Sequence, residues 1–273
     1  MYNKLLYAAP FLLIIAYLAF SLTRPPSTKL NQARLILSKL RGGDFTHAGD
    51  KEAIDMMLEK VKRDFPETLK GNCLDIGCGF GGTADYLLKN GFKKIWGIDV
   101  DQAVIDYAKK KYKGIEFITA DALTLSVKFD KEYFSFCYLF NVLYAIEDKV
   151  AALKQIAKVS KPGAILMIFD YSITNQQQPL LDLAGKPMRP INTKKIKEQL
   201  SQAGWMVLEV RDLSETFIRW YEDLLEKLDQ ERNQLKDRFP EQDIAKFSAT
   251  YLHILHQLRN ESLGGVMIYA KRI

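Results

Sequence analysis

Cysteine and histidine are scarce in this chain, three of each in 273 residues. Cys73, Cys78 and Cys137 show no metal-site spacing, and two of them lie in apolar runs, so buried free thiols in a reducing compartment are expected rather than a disulfide framework or a thiolate metal centre. His253 and His256 fall at i, i+3 in a helical stretch, which suits a surface or packing role better than a metal site. Acid is missing altogether before Asp44, while Lys4, Arg24, Lys29, Arg34, Lys39 and Arg41 supply six positive charges. That tail accounts for the whole net charge of +6, because the remainder carries 33 basic and 33 acidic residues. A neutral body argues against a phosphate-backbone binder, so no nucleic-acid partner is expected. Repeats and low-complexity blocks are also missing. The length suits one α/β domain with additions or two small domains.

What the chain does have is the stretch Cys73-Leu74-Asp75-Ile76-Gly77-Cys78-Gly79-Phe80-Gly81-Gly82-Thr83. An apolar run ends in an acid, breaks into glycines, and passes at once into the helical pattern of Ala84, Leu87 and Leu88. This reads as a buried strand, a tight turn that lets a ligand approach the backbone, and a helix N-terminus. Gly77, Gly79 and Gly82 satisfy the dinucleotide pattern G-x-G-x-x-G, a weak signal alone. Asp75 changes its meaning: a carboxylate here repels a pyrophosphate and welcomes a ligand with a cationic end. S-adenosyl-L-methionine fits, having an ammonium, a sulfonium and no phosphate. The run Asp75-x-Gly77-x-Gly79-x-Gly81 resembles motif I of class I S-adenosylmethionine-dependent methyltransferases. An NAD-dependent Rossmann oxidoreductase and a non-catalytic, membrane-tethered methyltransferase-like scaffold are the alternatives.

The rest of the chain is read in the same frame. Asp50 is a plausible N-cap for a helix carrying Ala53, Ile54, Met57, Leu58 and Val61. Further strands are predicted over Lys94 to Asp99, Ile115 to Thr119, Tyr133 to Phe140, Ala164 to Phe169 and Trp205 to Val210. Helices are predicted from Asp101, over Asp148 to Ser160, and over Thr193 to Ala203. A Gln- and Pro-containing loop covers Thr174 to Pro190. Alternating strands and helices predict a doubly wound, mostly parallel sheet of the α/β, Rossmann-like class, with ligands at the carboxyl ends of its strands. A charged helical section, residues 215–260, breaks at Pro240 before a last strand at Gly264 to Ala270 that can pair antiparallel to the sixth. The resemblance implies seven strands, helices on both faces and a helical lid insertion.

Asp75, Asp99, Asp121, Asn141 and Asp170 all stand at predicted carboxyl ends. Asp99 suits a bidentate grip on ribose hydroxyls, as an acid does in dehydrogenases too. Ala120-Asp121-Ala122 resembles the element that hydrogen-bonds the adenine amino group. The expected cofactor set is therefore Asp75, Gly77, Cys78, Gly79, Asp99, Val100, Asp121, Ala122 and Phe140. Phe140-Asn141-Val142-Leu143-Tyr144 lacks the Asn-Pro-Pro-aromatic element of many nucleobase and glutamine amide methyltransferases. Phe169-Asp170-Tyr171, Asp148-Lys149, Lys161-Pro162-Gly163, the segment Thr216 to Tyr221 and Leu263-Gly264-Gly265 resemble the branch that methylates phosphoethanolamine, sarcosine or dimethylglycine. Where phosphoethanolamine enzymes carry a histidine after the fourth strand, this chain has Ala145, beside Tyr144. Asn141, Tyr144, Asp170, Tyr171, Trp220 and Tyr221 are expected to face the acceptor, with Phe140, Tyr144, Tyr171, Trp220 and Tyr221 a possible cage for a methylated ammonium. His47, Tyr144 and Tyr171 are the candidate catalytic residues, His47 as base or orienter.

Before residue 44 the logic differs. Leu5 to Leu22 is an uncharged apolar run, interrupted by Pro10, near the lower limit for crossing a bilayer. Tyr17-Leu18-Ala19 is a poor cleavage site for a secretory signal, and a secreted methyltransferase would lack its cofactor. The basic cluster that follows would hold that side in the cytoplasm. Residues 1–43 are expected to form a membrane anchor with a basic juxtamembrane helix, Lys29 to Arg41, lying on an anionic surface or acting as a solvated linker. Residues 44–273 then form the catalytic domain in the cytoplasm, acting on a small-molecule or lipid acceptor. The oligomeric state is not legible.

Overall fold

The computed structural model describes residues 30–173 and 187–273. The expected anchor, Leu5 to Leu22, and most of the loop from Thr174 to Pro190 lie outside them.

The strands are β1 (Asn72–Ile76), β2 (Lys94–Asp99), β3 (Glu116–Thr119), β4 (Phe134–Phe140), β5 (Ser160–Ile173), β6 (Ile191–Asn192), β7 (Trp205–Asp212) and β8 (Gly264–Arg272). They form one sheet in the order β3-β2-β1-β4-β5-β8-β7, with the short β6 paired to β5. Every pair is parallel except those made by β8, which runs antiparallel to both β5 and β7. The expected seven-stranded sheet is present, and β6 adds an eighth strand too short to show in the sequence.

The middle strands are apolar on both sides because helices cover both faces. Cys73, Phe136, Tyr138, Met167 and Phe169 pack into one core cluster; Leu74, Ile76, Cys137, Leu139 and Ile168 pack into the other. The first face is covered by α1 (Gln32–Leu40), α2 (Asp50–Asp64), α3 (Gly82–Lys89), α4 (Gln102–Lys111), α7 (Ser214–Gln230), α8 (Arg232–Lys236) and α9 (Glu241–Arg259). The second takes α5 (Lys149–Val159) and α6 (Ile196–Gln202). The helical insertion, α7 to α9, thus roofs the first face above the carboxyl ends of β4 and β5.

Three expectations need correcting. The basic helix before Asp44 is neither a surface helix nor a solvated linker: in α1, Ile36, Leu37 and Leu40 are buried in the first core, against α7 and α9. Its apolar face was read correctly, but its partner is the insertion nearly two hundred positions later. Asp50 is not an N-cap. Gly49 occupies the cap with φ 74°, and Asp50 is the first helical residue, itself at φ 44°, with its carboxylate paired to Arg41. Finally, α6 starts at Ile196 because Asn192 closes a turn first, its side-chain oxygen accepting from the amides of Lys194 and Lys195 at 3.0 and 3.2 Å.

Truncating a fully buried core side chain costs about 2–5 kcal/mol. Leu40→Ala should therefore lower the urea-unfolding free energy of the full chain by about that amount. An unchanged midpoint would return α1 to the status of a linker.

Candidate active site

The turn after β1 is built by the chain's own hydrogen bonds. The amides of Gly77 and Cys78 both donate to the Ile98 carbonyl at 2.8 Å, pulling the turn against the end of β2. Gly77 has φ 73°, and a Cβ there would lie 2.3 Å from Val142, so only glycine fits. The Gly79 amide donates to Asp99 Oδ2 at 3.2 Å, and Asp99 Oδ1 accepts from the Asp101 amide at 3.0 Å. Asp99 therefore shapes the turn as well as standing at the strand end.

Asp75 faces the first core just under this turn. Its carboxyl is 3% exposed, and Oδ2 has no hydrogen-bond partner among the described residues. Burial pushes it up to about 8, and the Asp99 carboxylate adds to the rise. The phenol of Tyr138, paired across the β1–β4 ladder, opposes that rise from close by but makes no hydrogen bond of ordinary geometry with it. An orphaned buried carboxyl is costly unless something pairs with it. An ammonium is the group that fits.

Asp121 lies past β3, its carboxylate accepting from the Leu123 amide at 2.9 Å, with Ala122 buried beside it. Val100 (69% exposed) and Leu123 (37%) leave apolar surface open next to Asp99 and Asp121. Acids for hydroxyls, apolar surface for a heterocycle and a buried carboxyl for an ammonium match the parts of S-adenosylmethionine.

A flap, residues 42–50, lies over the turn. The Asp44 carbonyl stands 2.6 Å from where a Gly82 Cβ would be, so a side chain at Gly82 would push the flap away. Asp44 pins the flap to α4 through Tyr112 Oη (2.8 Å) and Lys111 Nζ (2.7 Å), and to α1 through Ser38 Oγ (2.8 Å). The Ala48 amide donates to Asn141 Oδ1 at 2.9 Å. Asn141 is itself held at φ 52°, and its buried Nδ2 has no partner among the described residues.

His47 belongs to this flap and is not placed to act as a base. One ring nitrogen, Nδ1, meets the Ala48 carbonyl at 2.9 Å and must donate to it; the other, Nε2, then accepts from Thr83 Oγ1 at 3.0 Å. The ring stacks on Phe140 at 4.4 Å. Burial lowers the imidazole to about 3, leaving it neutral with its lone pair occupied. Its two hydrogen bonds brace the flap and tie it to the start of α3.

Beyond Asn141 lies a cleft lined by Thr46, His47, Tyr144, Tyr171, Tyr221 and Tyr251, closed by Met188 and Ile254. The hydroxyls of Tyr171 and Tyr221 hydrogen-bond each other, Tyr221 stacks on Tyr251 with centroids 5.4 Å apart, and Tyr144 meets Tyr171 edge-on, also at 5.4 Å. Burial raises Tyr171, Tyr221 and Tyr251, the last to about 12, so all three remain neutral phenols.

Of the expected acceptor residues, Asn141, Tyr144, Tyr171 and Tyr221 line this cleft, whereas Asp170, Trp220 and Phe140 do not. Asp170 is wholly buried, accepting from the amides of Tyr171 (2.7 Å), Tyr144 (3.1 Å) and Val142 (3.2 Å), which makes it the fastener of the loop after β4. Trp220 covers Gly49, and its indole donates to Glu52 at 2.7 Å, outside the cleft. The Phe140 ring is packed between His47 and Phe169. Tyr251 was missed because nothing in a helical pattern distinguishes a core tyrosine from one lining a cleft; Met188 was missed inside an unassigned loop. His253 and His256 are exposed on α9 as expected, all three cysteines are free and buried, and the described residues hold no cluster suited to a metal.

Comparison with known proteins agrees with this geometry. Residues 74–168 match the family model described as a methyltransferase domain. An O-methyltransferase of Pyrenophora dematioidea is 28% identical over 177 residues, covering 59% of this chain and 66% of that protein. Phosphoethanolamine N-methyltransferase 1 of Zea mays is 23% identical over 221 residues, covering 75% of this chain and 41% of that one. Phosphoethanolamine N-methyltransferase 2 of Haemonchus contortus, solved with phosphomonomethylethanolamine and S-adenosylhomocysteine, superposes with a TM-score of 0.78 at 17% identity, covering 90% of this chain and 58% of that one. The chain thus spans two thirds or less of each of these. Residues 74–168 are therefore a methyltransferase domain, and the relatives together with the site support S-adenosylmethionine-dependent methyl transfer. The cofactor is S-adenosylmethionine, and the dinucleotide reading falls.

Two measurements test the geometry. If His47 only orients, His47→Asn should keep kcat within about tenfold of the parent, whereas loss of a true general base costs about 10²–10⁴. The raised carboxyl of Asp75 favours the fold while it is protonated, and that contribution disappears as pH rises through about 8. Asp75→Asn should accordingly raise the melting temperature at pH 8 more than at pH 5; equal shifts at both would mean that Asp75 is already ionised.

Proposed function

We propose that the cleft takes a small or lipid-borne acceptor and that the nucleophile is an amine nitrogen. The observation that carries this reading is what lines the cleft: neutral tyrosines, a neutral histidine with its lone pair occupied, an asparagine, and no carboxylate. Carbon and oxygen acceptors usually need a base to remove a proton, whereas an amine needs only its lone pair. S-adenosylmethionine supplies an electrophilic methyl group on a positively charged sulfur. The protein then has to desolvate the amine and align it, which an aromatic cleft under a roof of helices can do. Tyrosine faces also attract a methylated ammonium, which favours successive methylations. The amine substrates in the names of the maize and nematode relatives point the same way.

In this reading Asp75, Gly77, Gly79, Asp99 and Asp121 hold the cofactor, with Val100 and Ala122 beside the heterocycle. Residues 5–22 tether the chain to a membrane with the catalytic domain on the cytoplasmic side. No helix among the described residues is long and apolar enough to cross a bilayer, so the tether rests on that run alone.

Transfer of a labelled methyl group to fractionated lipids and small amines tests the chemistry: N-methyl products are expected, and O- or C-methyl products alone would refute the amine assignment. Tyr251→Ala should raise the acceptor KM about tenfold, the scale of a desolvated cation–π contact, without changing cofactor affinity. Asp99→Ala removes charge-assisted bonds and should weaken S-adenosylmethionine binding about 100-fold by calorimetry while the chain stays folded. Deleting the residues before Thr23 should move the protein from the membrane to the soluble fraction.

A further inference from the structure

The two ends of the argument about charge meet in space. Residues 1–43 contain no acid, and neither does the stretch from Ile244 to Asn260, most of α9. The start of α1 lies against α9: Asn31, Gln32 and Ala33 share a groove with Asp243, Lys246, Phe247 and Thr250. The chain therefore emerges from the fold beside a helix whose acids, Glu241 and Asp243, are confined to its first turn, whereas α7 and its junction with α8 carry Glu215, Glu222, Asp223, Glu226, Asp229 and Glu231.

That outer face is made of Ala245, Lys246, Ala249, Leu252, His253 and His256, all exposed, with Leu252 54% open to solvent. The same helix turns Tyr251 and Ile254 inward to line the acceptor cleft. Around the face the charges are few. Arg259 is paired with Glu222 of α7 at 2.6 Å, Glu241 and Asp243 stand in the first turn of α9 with Glu241 paired to Arg232 and Lys236, Glu261 follows its C-terminus, and Lys246 makes no ion pair among the described residues.

We propose that the outer face of α9 docks onto an anionic lipid bilayer, so that the roof of the acceptor cleft rests on the membrane from which the acceptor is drawn. This rests on the membrane tether proposed above and adds to it an orientation. Residues 23–29 are the only spacer between the apolar run and the described fold, and fully extended they reach about 25 Å. A helix of nineteen residues, α9, is itself about 28 Å long, so the tether is short enough to keep this face within reach of the membrane. Alanine and leucine can enter the interface, and a lysine that forms no ion pair among the described residues is attracted to anionic headgroups.

The test uses the full-length chain. All three native cysteines are buried, so Leu252→Cys can carry an environment-sensitive fluorophore, and Lys70→Cys, just before β1 at the opposite end of the sheet, serves as the control. Each is reconstituted with vesicles of phosphatidylcholine containing about a third phosphatidylglycerol, a composition chosen to give a negative surface potential, or with phosphatidylcholine alone. The expected result is a blue shift and intensity rise at position 252 with anionic vesicles, none at position 70, and loss of the shift when Lys246→Glu is added although the protein still sediments with the vesicles. A chain that sediments while position 252 stays in water keeps the tether and overturns the docking. A chain that does not sediment overturns both. A shift that appears without vesicles and grows with protein concentration assigns the face to a second copy and likewise overturns the proposal.

Discussion

A carboxyl with one oxygen unpartnered among the described residues, held under a glycine turn, is the constraint from which the rest follows. The Asp75 side chain is buried among apolar neighbours, one of its oxygens is orphaned, and burial raises its proton affinity by several orders of magnitude. Such a group destabilises the empty fold at neutral and alkaline pH and is relieved by a cation. The site is therefore biased toward a ligand with an ammonium before any specific contact is considered. The same bias disfavours a pyrophosphate, which is why one acid two residues before Gly77 outweighs the three glycines in deciding between cofactors.

The second dependence is of the turn on the flap. Gly82 lacks a side chain where the Asp44 carbonyl presses down, His47 accepts from Thr83 at the start of α3, and Ala48 donates to Asn141 at the end of β4. The flap is carried between α1 and α2, and both ends are tied by the Arg41–Asp50 ion pair. Arg41 is almost fully buried and its Nε has no partner among the described residues, so removing Asp50 would leave a buried charge uncompensated. This explains why α1 has to be part of the core: it anchors one end of the segment that covers the cofactor turn.

The parallel strands and the strand-end acids were legible because they follow from local patterns, apolar runs, glycine breaks and alternation of helix and strand, whereas the antiparallel β8 followed from the family resemblance. Two departures are local, the Gly49 cap and the Asn192 turn, and those that bear on the site are long-range. Ile36 and Leu40 mark an apolar face, but the sequence holds no sign that α7 and α9 will cover it. Asp170 looked like Asp75 and Asp99, an acid closing a strand. Its three amide donors come from its own neighbour and from the loop after β4, a closure visible only once β4 and β5 are paired. Trp220 and Tyr221 are adjacent in sequence, yet on α7 they point about 100° apart, so one fills the space above Gly49 and the other lines the cleft. Residue type alone could not separate them.

That division of aromatic residues shapes the chemistry. With Trp220 and Phe140 spent on packing, the cleft is left to tyrosines whose hydroxyls satisfy one another, as Tyr171 and Tyr221 do, and whose rings stack on or meet one another edge-on along its wall. A cleft meant to deprotonate a hydroxyl or a carbon acid would need a group that titrates near neutrality within reach. Neither candidate is in place: Asp170, though burial raises it to about 7, spends both oxygens on three amides and does not line the cleft, and the neutral His47 is occupied by Thr83 and the Ala48 carbonyl. What remains can strip water from an amine, hold it by its rings and leave its lone pair exposed, and in-line attack on a sulfonium methyl asks for little more.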